Sequence, residues 1–197
     1  DIGADEFNGV CSTLLNLKAF IQGYYIGGGM MISAIDSGSN AAECDTVVLQ
    51  LAGSSSPHSI LYSDTTILQT SGDAQFNFPL GVAGNDYYLV LKHRNSLEVW
   101  SANPVTLSNG FSYDFSASLA QSYSANQTLV GPGVYALHSG DLNQDGFVDS
   151  TDISIMENNI QMSIFGYYSS DLTGDWFTEA SDFSLLENNF GKNLLKP

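Results

Sequence analysis

The run Asp141-Leu142-Asn143-Gln144-Asp145-Gly146-Phe147-Val148-Asp149-Ser150-Thr151-Asp152 limits what this chain can fold into more than any other stretch. Oxygen-bearing side chains fall at positions one, three, five, nine and twelve of the run, and glycine falls at six. That spacing wraps a hard cation. Short carboxylates turn inward, the peptide carbonyl at position seven joins them, and glycine takes the sharp turn. Asp141, Asn143, Asp145, Asp149 and Asp152 are therefore candidate calcium ligands, and Phe147 contributes only its carbonyl. A plain acidic surface turn has no need of five donors at five fixed spacings.

The pattern returns further on. Asp171, Thr173, Asp175, Glu179 and Asp182 occupy the same five positions, with Phe177 at seven. Trp176 stands where the first loop has glycine, so the turn there must be made another way, with Gly174 the nearest candidate. The segments after the loops also align: Asp152-Ile153-Ser154-Ile155-Met156-Glu157-Asn158-Asn159-Ile160 with Asp182-Phe183-Ser184-Leu185-Leu186-Glu187-Asn188-Asn189-Phe190. Ile153, Met156 and Ile160 recur at helical spacing, as do Phe183, Leu186 and Phe190. Each repeat reads as a loop followed by a short amphipathic helix. Neither helix can bury its stripe alone, so the two should pack into one small core with a calcium ion, two in all, at the head of each helix. The second site, with Thr173 and Trp176, is expected to be the weaker.

The doubled loop–helix resembles the type I dockerin modules of secreted bacterial proteins, which lack the entering helix of an EF-hand and carry Asp at position twelve. Gly140-Asp141-Leu142-Asn143-Gln144-Asp145-Gly146 is similar to the dockerin opening, and the resemblance covers residues 138–195. It implies calcium-dependent folding and binding to a cohesin domain. In that family loop positions ten and eleven help contact cohesin. Here they are Ser150 and Thr151, a match, and Ala180 and Ser181 in the second repeat, a departure. The basic residues usual on the following helices are replaced by Glu157-Asn158 and Glu187-Asn188. Calcium ligation thus carries over residue by residue, and cohesin binding carries over less directly.

The preceding residues read as an all-β domain. Alternating or β-branched runs stand between turn signals: 15–21, 46–51, 60–62, 66–69, 74–78, 111–115, and a hairpin of 87–92 and 97–100 turning near Arg94-Asn95. About seven short strands at this spacing suggest an antiparallel sandwich of immunoglobulin-like type. Gly27-Gly28-Gly29 marks a mobile loop, and Gly131-Pro132-Gly133 a junction. We therefore expect two domains, a β-sandwich over 1–130 and a small α-helical calcium-binding domain over 131–197. The stretches 15–25 and 92–101 are also similar to a β-rich module that precedes dockerin-like repeats at the C-termini of large secreted bacterial surface proteins. That resemblance spans residues 14–130 and implies an extracellular accessory role.

The chain carries 21 acidic and five basic residues, a formal charge of −16. Without a basic patch, nucleic acid and anionic membrane surfaces are poor partners, and no apolar run is long enough to span a bilayer. The chain opens at Asp1 with no basic-then-apolar leader, which reads as a mature product or a fragment. Under a secreted reading Cys11 and Cys44 are a candidate disulfide; two unpaired buried thiols are the alternative.

No catalytic constellation stands out. His58, His93 and His138 are scattered, no nucleophile elbow appears, and His93-Arg94-Asn95 reads as a hairpin turn. Tyr87, Tyr88, Trp100, Tyr113 and Phe115 could form a sugar-stacking platform, but alternating strand aromatics are more often core. Trp176 is expected exposed or partly exposed and at an interface, with Tyr167-Tyr168 either between the helices or beside it. The leading expectation is a non-enzymatic extracellular or cell-surface structural protein. Its calcium-stiffened module would associate with another protein, foremost with further copies of itself in a filament or layer. The alternatives are an adaptor for a cohesin scaffold and a carbohydrate-binding accessory module.

Overall fold

The structure is a computed structural model that describes residues 12–35 and 40–197. Among these residues twelve strands are followed by two α-helices: β1 (Thr13–Lys18), β2 (Tyr25–Gly27), β3 (Met30–Met31), β4 (Glu43–Gly53), β5 (Ile60–Gln69), β6 (Asp73–Phe78), β7 (Asp86–His93), β8 (Ser96–Trp100), β9 (Val105–Thr106), β10 (Phe111–Asp114), β11 (Thr128–Gly131), β12 (Val134–Ala136), α1 (Ser150–Gln161) and α2 (Ala180–Asn189).

Two sheets carry the β-rich part. One runs β5-β4-β7-β8, with β9 also paired to β7; the other runs β10-β1-β6. Period-two alternation sets which side chains meet. Leu15 and Leu17 of β1 face Phe76 and Ala74 of β6 across an antiparallel ladder, and Leu49 and Leu51 of β4 face Leu91 and Leu89 of β7. All eight are buried in one core shared by the two sheets. Ala52, Val90 and Trp100 form a second cluster, which Leu194 of the C-terminal tail packs against.

Most expected strands are present, with informative differences. The runs at 60–62 and 66–69 join into the single strand β5. The strand expected over 15–21 stops at Lys18. Ala19 N–H turns to the Gly72 carbonyl at 2.9 Å, and Ile21 bridges to Leu137 near the helical module. β1 pairs with β10 in parallel, so the sheets are not wholly antiparallel. Gly27-Gly28-Gly29 is the turn of the hairpin β2–β3, all three in the left-handed region that glycine alone enters freely. Gly131-Pro132-Gly133 turns the hairpin β11–β12. Cys44 is a buried free thiol whose Sγ lies 3.8 Å from Met31 Sδ, and burial raises its pKa. Its expected disulfide partner Cys11 lies outside the described residues.

The two helices pack on each other as the periodicity predicts. Val148, Met156, Leu172 and Leu186 are buried in one small cluster, with Ile153, Ile160 and Phe183 packed against it. Leu97 of β8 joins the cluster, so the helical core closes only with a side chain from the β sheet. Phe190 departs from the stripe. The helix ends at Asn189, the next residue turns extended, and the ring faces solvent.

Candidate functional site

Both acidic loops are wound by their own carboxylates. In the first, Asp141 Oδ1 accepts from Asp145 N–H at 3.1 Å and Oδ2 from Gly146 N–H at 3.2 Å. Asp152 Oδ1 accepts from Leu142 N–H at 2.8 Å and Asn143 N–H at 3.3 Å, and its Oδ2 from Asp149 N–H at 2.9 Å. Asp145 Oδ1 takes Phe147 N–H at 2.9 Å, and Asp149 caps α1 by accepting from Thr151 N–H at 2.7 Å. Positions nine and twelve therefore do two jobs, closing the loop and starting the helix.

The second loop repeats most of these bonds, without the helix-capping one at position nine. Asp171 accepts from the N–H groups of Gly174, Asp175 and Trp176 at 2.7, 3.2 and 3.0 Å. Asp182 accepts from Leu172, Thr173 and Glu179 at 2.8, 2.9 and 2.9 Å, and Asp175 from Phe177 at 3.0 Å. Thr173 adds an Oγ1 bond to Asp182 at 3.0 Å. Positions four and six are left-handed in both loops: Gln144 and Gly146 (φ 60° and 89°) in the first, Gly174 and Trp176 (φ 79° and 75°) in the second. Trp176 itself thus takes the turn assigned to glycine, and the second loop's glycine sits two positions earlier.

The donor set fits a hard cation. Asp141, Asp152, Asp171 and Asp182 are buried, and every position offers oxygen. Burial, reinforced by neighbouring carboxylates, pushes the pKa of Asp141 up to about 6, and burial with Asp182 nearby does the same for Asp171. Gathered acids of this kind gain from a cation among them. Their side chains are held by backbone amides, and among the described residues no three Asp, Glu, His or Cys groups converge into a ligand cluster. Ser150, Thr151, Ala180 and Ser181 lie exposed at the two helix starts. Phe147 and Phe177 point outward, leaving their carbonyls to the loops. Trp176 is half-buried beside Phe165, its ring centroid 6.1 Å away, and its indole N–H has no hydrogen-bond partner among the described residues.

Beneath the second loop lies a polar hub that the sequence reading passed over. Asp45 is buried and binds His93 Nε2 at 3.0 Å, Arg94 Nε at 2.9 Å and the hydroxyls of Tyr24 and Tyr167. Arg94 also donates to Tyr24 Oη at 2.6 Å and to the Tyr168 carbonyl, and stacks 4.1 Å over the Tyr167 ring. The hairpin turn His93-Arg94-Asn95 is real, and it is also the knuckle on which the helical module rests. The signal was the polar trio itself, set on a tight turn. His93 Nδ1 lies 3.3 Å from Ser96 Oγ, which gives an Asp–His–Ser line, but all three are buried and Ser96 Oγ is bonded to Asn95 Oδ1 at 3.0 Å. These bonds tie the array into the support of the hairpin turn.

The possible sugar-platform aromatics do not share a face. Tyr87 and Phe115 belong to the main core, while Trp100 sits in the separate cluster behind the sheet with Tyr88 against it. Among the described residues no helix is long and apolar enough to cross a membrane.

Residues 139–191 match the dockerin type I domain family. Comparison with curated proteins gives no match. Among solved structures, the chain is similar to chains of two type II cohesin–X-dockerin complexes from Acetivibrio cellulolyticus, a C-terminal interface mutant and an N-terminal interface mutant. The first is 15% identical with a TM-score of 0.53, the second 14% with 0.52; each alignment covers 92% of this chain and 97% of the other. At that identity the likeness concerns the fold. A mostly β module followed by a two-helix dockerin-like region is an arrangement shared along nearly the full length of both chains.

Proposed function

We propose that this chain is a non-catalytic adaptor whose doubled loop–helix region, folded around two calcium ions, docks on a cohesin-like protein outside the cell. The observation that carries the reading is the coincidence of the dockerin type I match over 139–191 with two loops wound in the same way. Asp141, Asn143, Asp145, Asp149 and Asp152 with the Phe147 carbonyl hold one ion. Asp171, Thr173, Asp175, Glu179 and Asp182 with the Phe177 carbonyl hold the other. Each ion neutralises carboxylates that repel one another and locks the start of its helix, so Ser150, Thr151, Ala180 and Ser181 are presented on a rigid face. The β part, which runs through the hairpin β11–β12 to Ala136 rather than dividing at 131, is an immunoglobulin-like support; two sheets over one core favour that description.

Binding of the full chain to a panel of immobilised cohesin domains, in calcium and in chelator, tests the proposal. Capture in calcium that chelator abolishes supports it, and no capture by any member sinks it. Self-association is a second reading, favoured by the exposed rings of Phe165 and Phe177 beside Trp176. Light scattering that shows a calcium-dependent polymer would move the assignment there.

A further inference from the structure

We propose that the β module is a working part of the second calcium site. Tyr24, Arg94 and Asn95 act as positioning residues for that loop, so calcium binding there and docking of the two modules are one coupled equilibrium. The inference rests on the calcium reading above and assigns a role to residues far from either loop in sequence.

The first ligand of the second loop is anchored from outside. The Asp171 carbonyl accepts from Asn95 Nδ2 at 3.1 Å and lies 3.4 Å from Tyr24 Oη. Asn95 Nδ2 also donates to Tyr24 Oη at 3.1 Å. Arg94 grips the Tyr168 carbonyl on the approach to the loop and is itself fixed by the buried carboxylate of Asp45. Asp45 also cancels the guanidinium charge, which would otherwise oppose a cation bound nearby.

Two glycines, one from each module, show how closely the backbones meet. A Cβ on Gly23 would fall 1.9 Å from the Leu172 carbonyl oxygen and 2.5 Å from Leu185 Cδ2. A Cβ on Gly174 would fall 2.8 Å from Ile32 Cγ2, 2.9 Å from Tyr24 Cδ1 and 3.1 Å from Ala34 Cβ. The second loop is thus pressed on the β module at the peptides flanking its third position.

The first loop is held differently. Leu194 N–H donates to the Gly146 carbonyl at 2.7 Å and Val148 N–H to the Lys192 carbonyl at 2.9 Å, so the C-terminal tail clasps it. It also touches the β7–β8 hairpin, through Gln144 Nε2 to the Ser96 carbonyl at 3.3 Å and Gly140 N–H to the Asn95 carbonyl at 2.7 Å, but neither Tyr24 nor Arg94 is bonded to it among the described residues. A loop whose backbone is already ordered loses less entropy when it closes on an ion, and by linkage the ion strengthens the docking that ordered it.

Calcium titration of the full chain tests this. With Trp100→Phe as background, Trp176 fluorescence reports the second loop, and calorimetry follows both sites. Tyr24→Phe, which deletes one hydroxyl and keeps the ring, should weaken the Trp176-reporting site about tenfold and leave the other within about twofold. Gly23→Ala should act in the same direction. In calcium, the amides of Arg94 and Asn95 should exchange more slowly than in chelator, and Tyr24→Phe should shrink that difference. An unchanged ratio of the two affinities in Tyr24→Phe, or equal weakening of both sites, overturns the inference while leaving the calcium reading intact. A wild-type chain that binds calcium at neither loop overturns both.

Discussion

The two acidic loops reach one geometry with different residues. Each has left-handed backbone at positions four and six, yet one places glycine at six and the other at four. In each, a non-glycine residue, Gln144 or Trp176, takes the remaining left-handed position at a cost of about 1–2 kcal/mol. Their supports differ as well. The first loop leans on the C-terminal tail and the second on the buried hub of Asp45, Arg94 and Tyr24. Spacing of ligands specifies the loop, therefore, while the glycine can move to wherever the neighbouring structure comes closest. Gly174 is needed where the loop meets Tyr24 and Ile32; a Cβ on Gly146 would meet only the Leu194 side chain of the tail, at 3.3 Å from its Cβ.

Removing calcium should have the largest effect on this pair. On the proposed two-site reading, saturating calcium should stabilise the helical region by about 5 kcal/mol, taking about 2.7 kcal/mol for each site at a hundredfold excess over Kd. Chelator should unfold α1 and α2 while the sheets persist, with helical signal lost before β signal in thermal circular dichroism. A single transition with unchanged midpoint would break the picture of metal-held loops.

Arg94→Leu comes next. It leaves Asp45 buried without its cation and should cost about 3–5 kcal/mol in urea denaturation, because removing one partner of a buried pair strands the other. Burial pushes the Asp45 carboxyl toward its neutral form, yet the contact with His93, followed by the charge of Arg94, holds it well below the usual carboxylate range. A loss of less than about 1 kcal/mol would show that the hub is not what seats the second loop.

Gly174→Ala against Gly146→Ala sharpens the comparison. Both impose a Cβ on left-handed backbone, which costs about 1–2 kcal/mol. Only Gly174→Ala also drives that atom into the β module, so its melting midpoint should fall further. Equal falls would mean that the contact yields at no cost.

The smallest effect concerns pH. Burial, with Lys192 nearby, lowers the His138 pKa to about 4, below the ordinary imidazole value. The unfolded chain then takes up a proton near pH 6.5 that the folded chain refuses. The stability present above about pH 6.5 is lost as pH falls toward 4, by about 1 kcal/mol between pH 7 and 5.5. In saturating calcium, His138→Phe should flatten that part of the pH profile of the urea midpoint. An unchanged slope would remove His138 from the account.

Local pattern made much of this legible. Ligand spacing gave both loops, 3.6-residue periodicity gave both helices, and alternation gave β4, β6, β7 and β8, because each signal lies within one element. Two-residue and three-residue strands such as β3 and β12 carry no pattern of their own; they exist because a neighbour pairs with them. The parallel partnership of β1 with β10 joins residues such as Leu15 and Phe111, which no local window connects. Phe190 followed the helical stripe in sequence but lost its place when the helix stopped one residue short.

The sequence by itself determined that two acidic loops each start a helix and that a β-rich part precedes them. Spacing and alternation encode those features in consecutive residues. Only the tertiary structure decided that His93-Arg94-Asn95 is a docking knuckle, that Tyr167 belongs to Asp45, and that Gly23 and Gly174 are the points of closest approach. Those roles are set by contacts between residues such as Tyr24 and Asp171, and a buried hydrogen bond acquires its meaning only when the chain brings both partners out of water together.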